Sequence, residues 1–97
     1  GTGEDCAVQL QSNGLWNDLP CSEQRRLACY NPNIGANGDW KLTAAAYAFS
    51  NPVLLSNRCE LEFGGQYKFY APETLSQREA LRAITPAGTD VYINAND

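Results

Sequence analysis

The apolar and polar positions of the first thirty residues alternate with a period of two. Ala7-Val8-Gln9-Leu10-Gln11 steps in this way, Ser12-Asn13-Gly14 supplies a hairpin turn, and Leu15-Trp16 resumes the apolar run. Successive side chains of a strand point to opposite faces, so the pattern predicts two strands joined by a tight turn. Arg26-Leu27-Ala28-Cys29-Tyr30 predicts a further short strand. Residues 31–39 are dense in Asn, Gly and Pro and are expected to be a linker between two halves, 1–30 and 40–97.

Beyond Trp40 the period changes. Ala45-Ala46-Tyr47-Ala48-Phe49 is compatible with a strand, and Asn51-Pro52 places an N-cap before a proline at the first helical position. The predicted helix runs from Pro52 to about Glu62 and is closed by Gly64-Gly65, with Leu54, Leu55 and Cys59 facing inward and Arg58 and Glu62 toward the boundary. Gln66-Tyr67-Lys68-Phe69-Tyr70 alternates as a strand, with Tyr67 and Phe69 expected in the core. Ser76-x-x-Glu79 has the form of a capping box and predicts a second helix from Gln77 to about Ile84, anchored by Leu81 and Ile84 and stopped by Pro86. Asp90 to Ala95 is expected to be the last strand. The expected class is α+β, two helices on a mostly antiparallel sheet.

Composition narrows the function classes. Ninety-seven residues, 43% of them apolar, suit a single core. No apolar run approaches the roughly 18 residues of a membrane span, and no basic segment precedes an apolar one, so a mature or trimmed soluble domain without membrane insertion is expected. A net charge of −4 with seven scattered basic residues provides no footprint for nucleic acid or anionic lipid. Four cysteines without Cys-x-x-Cys spacing, in a chain without histidine, point to two disulfides and an oxidising compartment rather than to zinc. Three connectivities are open, and each bridge should stabilise the fold by roughly 2–4 kcal/mol.

The run Gly3-Glu4-Asp5-Cys6, then Asn13-Gly14-Leu15-Trp16-Asn17-Asp18, then Cys21 and Leu27-Ala28-Cys29-Tyr30 resembles the C-terminal half of a C-type lectin-like domain. The helix ending at Cys59, the Gly64-Gly65 step, the second helix and Val91-Tyr92-Ile93-Asn94 resemble that family's N-terminal half. The halves stand in permuted order. Either a circularly permuted single domain over 1–97, a segment spanning two tandem modules, or a coincidental second-half match accounts for this, and the first is preferred because one set of four cysteines and both helices is present. The resemblance implies disulfides Cys6–Cys21 and Cys29–Cys59 and places Asp97 and Gly1 close together, on the side where the family carries its ligand-binding loop.

The resemblance also implies a site. Counterparts of Glu4, Asn17 and Asp18 bind a sugar-coordinating Ca²⁺ in the family and hydrogen-bond sugar hydroxyls, and Asp5 and Asp97 match an accessory calcium site. Independently of the family, Glu4, Asp5, Asn17 and Asp18 are oxygen donors flanking one hairpin, a chemistry that suits a hard cation. The family's Glu-Pro-Asn or Gln-Pro-Asp tripeptide is absent, and the loop bearing it would fall between Asp97 and Gly1. Asn31-Pro32-Asn33 copies it only in letters. Trp16 is expected in the core rather than as a sugar platform, Arg25-Arg26 as a solvated turn pair, and Asn94 and Asn96 as an ordinary strand end.

The expected function is carbohydrate recognition in a secreted or cell-surface protein, Ca²⁺-assisted where a loop from outside these residues completes the site, with a glycan or glycoprotein as ligand. The alternative is a lectin-like domain that meets a protein partner or supports a larger assembly. An enzyme is not expected: no histidine is present as a base, and every cysteine is assigned to a bridge.

Overall fold

β1 (Asp5–Leu10) and β2 (Trp16–Pro20) form the expected antiparallel hairpin in a computed structural model that describes residues 5–95. The turn closes through Gly14 N–H to Leu10 C=O (2.8 Å) and Leu10 N–H to Leu15 C=O (2.9 Å), while the Asn13 side-chain oxygen accepts from Leu15 N–H (2.8 Å). β6 (Asp90–Tyr92) pairs with the other edge of β1, giving a sheet of order β2-β1-β6. A second sheet places β3 (Ala28–Asn31) between β4 (Asp39–Leu42) and β5 (Lys68–Phe69). All four strand pairings are antiparallel. With two helices and two disulfides the fold is α+β, as the sequence predicts.

Several boundaries differ from expectation. The stretch 31–39, expected as a linker, closes the β3–β4 hairpin, where Asn31 pairs with Asp39. Gly38 has φ +77°, and a Cβ there would lie 2.2 Å from the Tyr30 hydroxyl oxygen, so both backbone and space require glycine. No strand forms over 45–49; Tyr47 alone pairs with Arg25, through two backbone hydrogen bonds of 2.8 and 3.0 Å. β5 and β6 are shorter than their alternating runs, although the next residues keep the register: Tyr70 N–H bonds Ala28 C=O (3.2 Å) and Ile93 N–H bonds Ala7 C=O (3.1 Å).

α1 (Pro52–Phe63) begins as predicted, with the Asn51 side chain accepting from Leu54 N–H (3.0 Å), and Gly64, at φ +101°, ends it. Leu55 and Cys59 are buried but Leu54 is half exposed, since a neighbour is rotated about 100° around the helix axis from Leu55 and leaves the narrow inner stripe. α2 (Leu75–Ile84) starts two residues before the predicted Gln77. Thr74, not Ser76, is the N-cap: its hydroxyl accepts from Gln77 N–H (3.1 Å), and the Gln77 carboxamide accepts from Glu73 N–H (2.6 Å). Leu81 is fully buried, whereas Ile84 is exposed and Thr85, whose hydroxyl donates to Leu81 C=O (2.7 Å), takes the inner position.

The core has two parts, because the successive residues Ala7 and Val8 of β1 face opposite sides. Ala7, Val91 and Ile93 pack with Leu81 of α2 and with Tyr30 and Trp40, while Val8 and Tyr92 pack with Leu27, Phe69 and the Leu55 and Cys59 face of α1. Tyr67 and Phe69 are buried, as expected. Cys6–Cys21 staples the ends of the first hairpin and Cys29–Cys59 ties β3 to α1, the pairing implied by the resemblance. No helix among the described residues is long and apolar enough to cross a membrane.

Arg25 and Arg26 are not a solvated pair. The Arg25 guanidinium donates to Asp90 and to Glu23, both at 2.6 Å, and lies over the Tyr92 ring. Burial opposes its charge, but the hydrogen bonds to Glu23, Asp90 and Tyr92 outweigh it and hold its pKa above the ordinary arginine value. Arg26 Nε donates to Thr43 C=O (2.6 Å).

Two predictions follow from this packing. Replacing Cys29 and Cys59 together by alanine removes a closure over 30 residues of the unfolded chain, and denaturant titration should show a loss of about 3–4 kcal/mol, with the Cys6–Cys21 bridge intact by mass. Burial and the hydrogen bond to Asp39 push the Tyr67 hydroxyl up to about 12. The unfolded phenol ionises near 10, so the contribution of Tyr67 is complete below about pH 10 and is lost as pH rises toward 12. Melting temperature should fall over that window, less steeply in Tyr67→Phe; equal slopes would contradict the assignment.

Candidate functional site

The hairpin turn lies along α2, and Arg82, in the last turn of the helix, holds it there. Arg82 Nε donates to Gln11 C=O (2.8 Å) and a terminal nitrogen donates to Ser12 C=O (2.9 Å), while Glu79 pairs with the other terminal nitrogen (2.9 Å). Gly14 makes the close approach possible: it has φ +72°, and a Cβ would sit 2.8 Å from Arg82 Cδ. Between the turn and the helix start opens a cleft of about 360 Å³, lined by Leu15 and Trp16 on one side and Glu73, Thr74, Leu75 and Arg78 on the other.

Trp16, expected in the core, is 48% exposed in this cleft. β2 is an edge strand, so the outer flank of its side chains has no neighbouring strand to cover it. The indole is nevertheless fixed. Its N–H donates to the Gln9 side-chain oxygen (3.2 Å), and Gln9, only 2% exposed, donates through Nε2 to Arg78 C=O (3.0 Å). Gln9 stands opposite Trp16 in the ladder, which is why its amide reaches both the indole and α2.

Glu73 is positioned from both directions. Its backbone N–H is held by Gln77, and its carboxylate accepts from the Tyr70 hydroxyl, an interaction that together with burial raises the Tyr70 pKa. Tyr70 in turn stacks on Tyr30, with ring centroids 5.2 Å apart and planes 12° from parallel. Arg78 is different from the other arginines packed nearby: its guanidinium donates no hydrogen bond among the described residues, and Nε, shielded from solvent, lies 3.8 Å from a Glu79 oxygen. The cleft therefore combines an exposed indole, a fixed carboxylate and a guanidinium with donors to spare.

The residues singled out from the sequence lie elsewhere on the hairpin. Asp5 opens β1, and Asn17 and Asp18 lie on β2, all three exposed. The register pairs Asp5 with Pro20, Ala7 with Asp18 and Val8 with Asn17. Asp5 and Asp18 thus share one face two ladder steps apart, whereas Asn17 belongs to the other face, three steps or about 10 Å from Asp5 along the ribbon. Glu4, Asn96 and Asp97 lie outside the described residues, as does the expected approach of Asp97 to Gly1. A Ca²⁺ ion takes six to eight oxygens. Asp5, Asn17 and Asp18 do not by themselves compose such a cage, and no three Asp, Glu, Cys or His side chains are grouped among the described residues.

Asn31-Pro32-Asn33 is a turn device. The buried Asn31 side chain accepts from Asn33 N–H (2.9 Å), and the Asn33 amide donates to Gln66 (2.8 Å). Asn94 donates to Phe69 C=O (3.2 Å). Glu73 and Arg78, which line the cleft, and Gln9, buried beneath the indole, are not singled out by sequence patterning, since they meet the hairpin and α2 only through contacts distant in sequence, such as that of Gln9 with Arg78 at a separation of 69.

No protein-family model matches the chain, and neither does any curated protein or solved structure. Gln9→Leu removes the acceptor of the indole N–H and the donor to Arg78 C=O together. It should cost roughly 1–3 kcal/mol in denaturant titration and shift the indole N–H resonance of Trp16, while that of the buried Trp40 stays in place.

Proposed function

We propose that this chain is a C-type lectin-like module with its halves in permuted order, recognising glycans as part of a secreted or cell-surface protein. The observation that carries the reading is Trp16, a half-exposed indole fixed through Gln9 and set in a cleft with polar groups around it. A pyranose ring offers C–H groups on its face and hydroxyls at its edge, so it needs an aromatic plane with donors and acceptors beside it. Support also comes from the two disulfides, the pair of helices and the Glu4-Asp5-Cys6 and Trp16-Asn17-Asp18 runs that carry the resemblance. The scaffold alone argues little for a ligand, since one fold hosts many functions.

A second reading is a lectin-like domain that meets a protein. The outer face of α1 favours it, with Val53, Leu54 and Leu61 exposed by 50% or more.

A glycan array probed in Ca²⁺ and in EDTA separates the two readings. Glycan signals that vanish in Trp16→Ala, whose fold is verified by its melting curve, are expected. An array without signal in either buffer would reject glycan recognition and favour the protein-binding reading. Melting curves in the same buffers report calcium linkage directly, because a bound ion raises the melting temperature as ln(1 + [Ca²⁺]/Kd).

A further inference from the structure

We infer that the Trp16 cleft takes the neutral pyranose end of a glycan without a metal ion, with Glu73 accepting from one sugar hydroxyl and Arg78 donating to another. This rests on the glycan reading above and adds the ligand class, the mode of recognition and the residues that perform it. In the calcium-dependent mode that the resemblance implies, the cation supplies the positive charge that attracts hydroxyl lone pairs, and its side-chain ligands also hydrogen-bond the sugar. Here a side chain supplies that charge. Arg78 lines the cleft with a guanidinium that donates no hydrogen bond among the described residues, whereas Arg82 beside it has Nε and both terminal nitrogens engaged with Gln11, Glu79 and Ser12.

Glu73 complements it. The carboxylate is anchored by the Tyr70 hydroxyl, which leaves acceptor capacity for a ligand, because an ionised carboxylate offers about four lone-pair directions. A sugar hydroxyl both donates and accepts, so a fixed acceptor and a free donor flanking one aromatic plane match two hydroxyls of one ring. Thr74 is less available, since its hydroxyl caps α2 through Gln77 N–H. The platform is prearranged, with Trp16 held by Gln9 and the hairpin turn held by Arg82, so little ordering cost falls on binding.

Charge selects against acidic sugars. The carboxylate and guanidinium of the cleft offset each other, Arg78 also lies 3.8 Å from a Glu79 oxygen, and the chain as a whole carries −4, so the site has no net positive charge to draw in an acidic sugar. Asp5, Asn17 and Asp18 play no part in this recognition, as the register sets Asp5 and Asp18 along the ribbon away from the turn and Asn17 on its other face.

The test is a titration of the isotope-labelled 97-residue chain with methyl β-galactoside, methyl α-mannoside and N-acetylneuraminic acid, in EDTA and in Ca²⁺, following its two indole N–H resonances. Trp16→Phe assigns them. A neutral glycoside should shift the Trp16 resonance with the same affinity in both buffers, N-acetylneuraminic acid should not, and Arg78→Gln and Glu73→Gln should each weaken binding about tenfold. Neither substitution removes a contact of the core, and an unshifted Trp40 resonance verifies each fold. Binding that disappears in EDTA overturns the metal-free mode. A stronger response to N-acetylneuraminic acid overturns the neutral class. A silent Trp16 resonance under glycosides carrying the end groups bound on the array overturns the cleft assignment and leaves glycan recognition standing, whereas failure of glycan recognition itself is read from an array that stays blank.

Discussion

The fold depends on the burial of one phenol. Tyr92 is fully buried where the two sheets meet, and a hydroxyl there must find an acceptor or lose roughly 1–3 kcal/mol of stability. Its oxygen lies within hydrogen-bonding range of the carbonyls of Pro20, Cys21 and Glu23, and Arg25 donates to it from the other side at 3.5 Å. Its backbone N–H reaches Arg26 C=O (3.0 Å), so Tyr92 in β6 and the segment leading into β3 are joined by side chain and main chain together. The ring meets Phe49 edge-on at 5.4 Å. The turn after β2, the Arg25 ion pair with Asp90 and the approach to β3 all converge on this residue, from sequence positions about 70 apart.

That convergence explains how the cleft can be both open and rigid. The first hairpin is held at its base by Cys6–Cys21 and the Tyr92 hydroxyl, and at its tip by Arg82 and Gln9. α2 receives the tip and is itself anchored by Leu81 and by Thr74 and Gln77 at its start. Exposure of Trp16 therefore does not imply mobility, because the indole stands on a ribbon fixed at both ends.

Local signals in the sequence located most elements. Period-two alternation found the first hairpin, Asn51-Pro52 found the start of α1, and the alternation of Tyr67 and Phe69 identified buried aromatics. What failed had a common cause in partners that are distant in sequence. Arg25 reads as solvated until Asp90, 65 positions away, is brought to it. Trp16 reads as core because nothing local reveals that β2 lies at a sheet edge. Ser76 and Glu79 match a capping box, but Thr74 and Gln77 match the same rule two residues earlier, and it is the Thr74 hydroxyl that accepts from Gln77 N–H. For the site, patterning drew attention to the hairpin but not to Glu73 or Arg78, which become cleft residues only when the hairpin tip meets α2.

Asp5 and Ala95 line one small cavity, and Ile93 N–H bonds Ala7 C=O (3.1 Å), so the described chain enters and leaves the fold side by side. A pull applied at these two points acts across the antiparallel β1–β6 pair from its open end, parting Val8 from Tyr92 before Leu10 from Asp90. Hydrogen bonds in that geometry yield one after another rather than together, so the domain is mechanically soft at first. Extension then meets the covalent stops of Cys6–Cys21 and Cys29–Cys59, which keep the first hairpin and the β3–α1 connection closed as loops while the rest of the chain straightens.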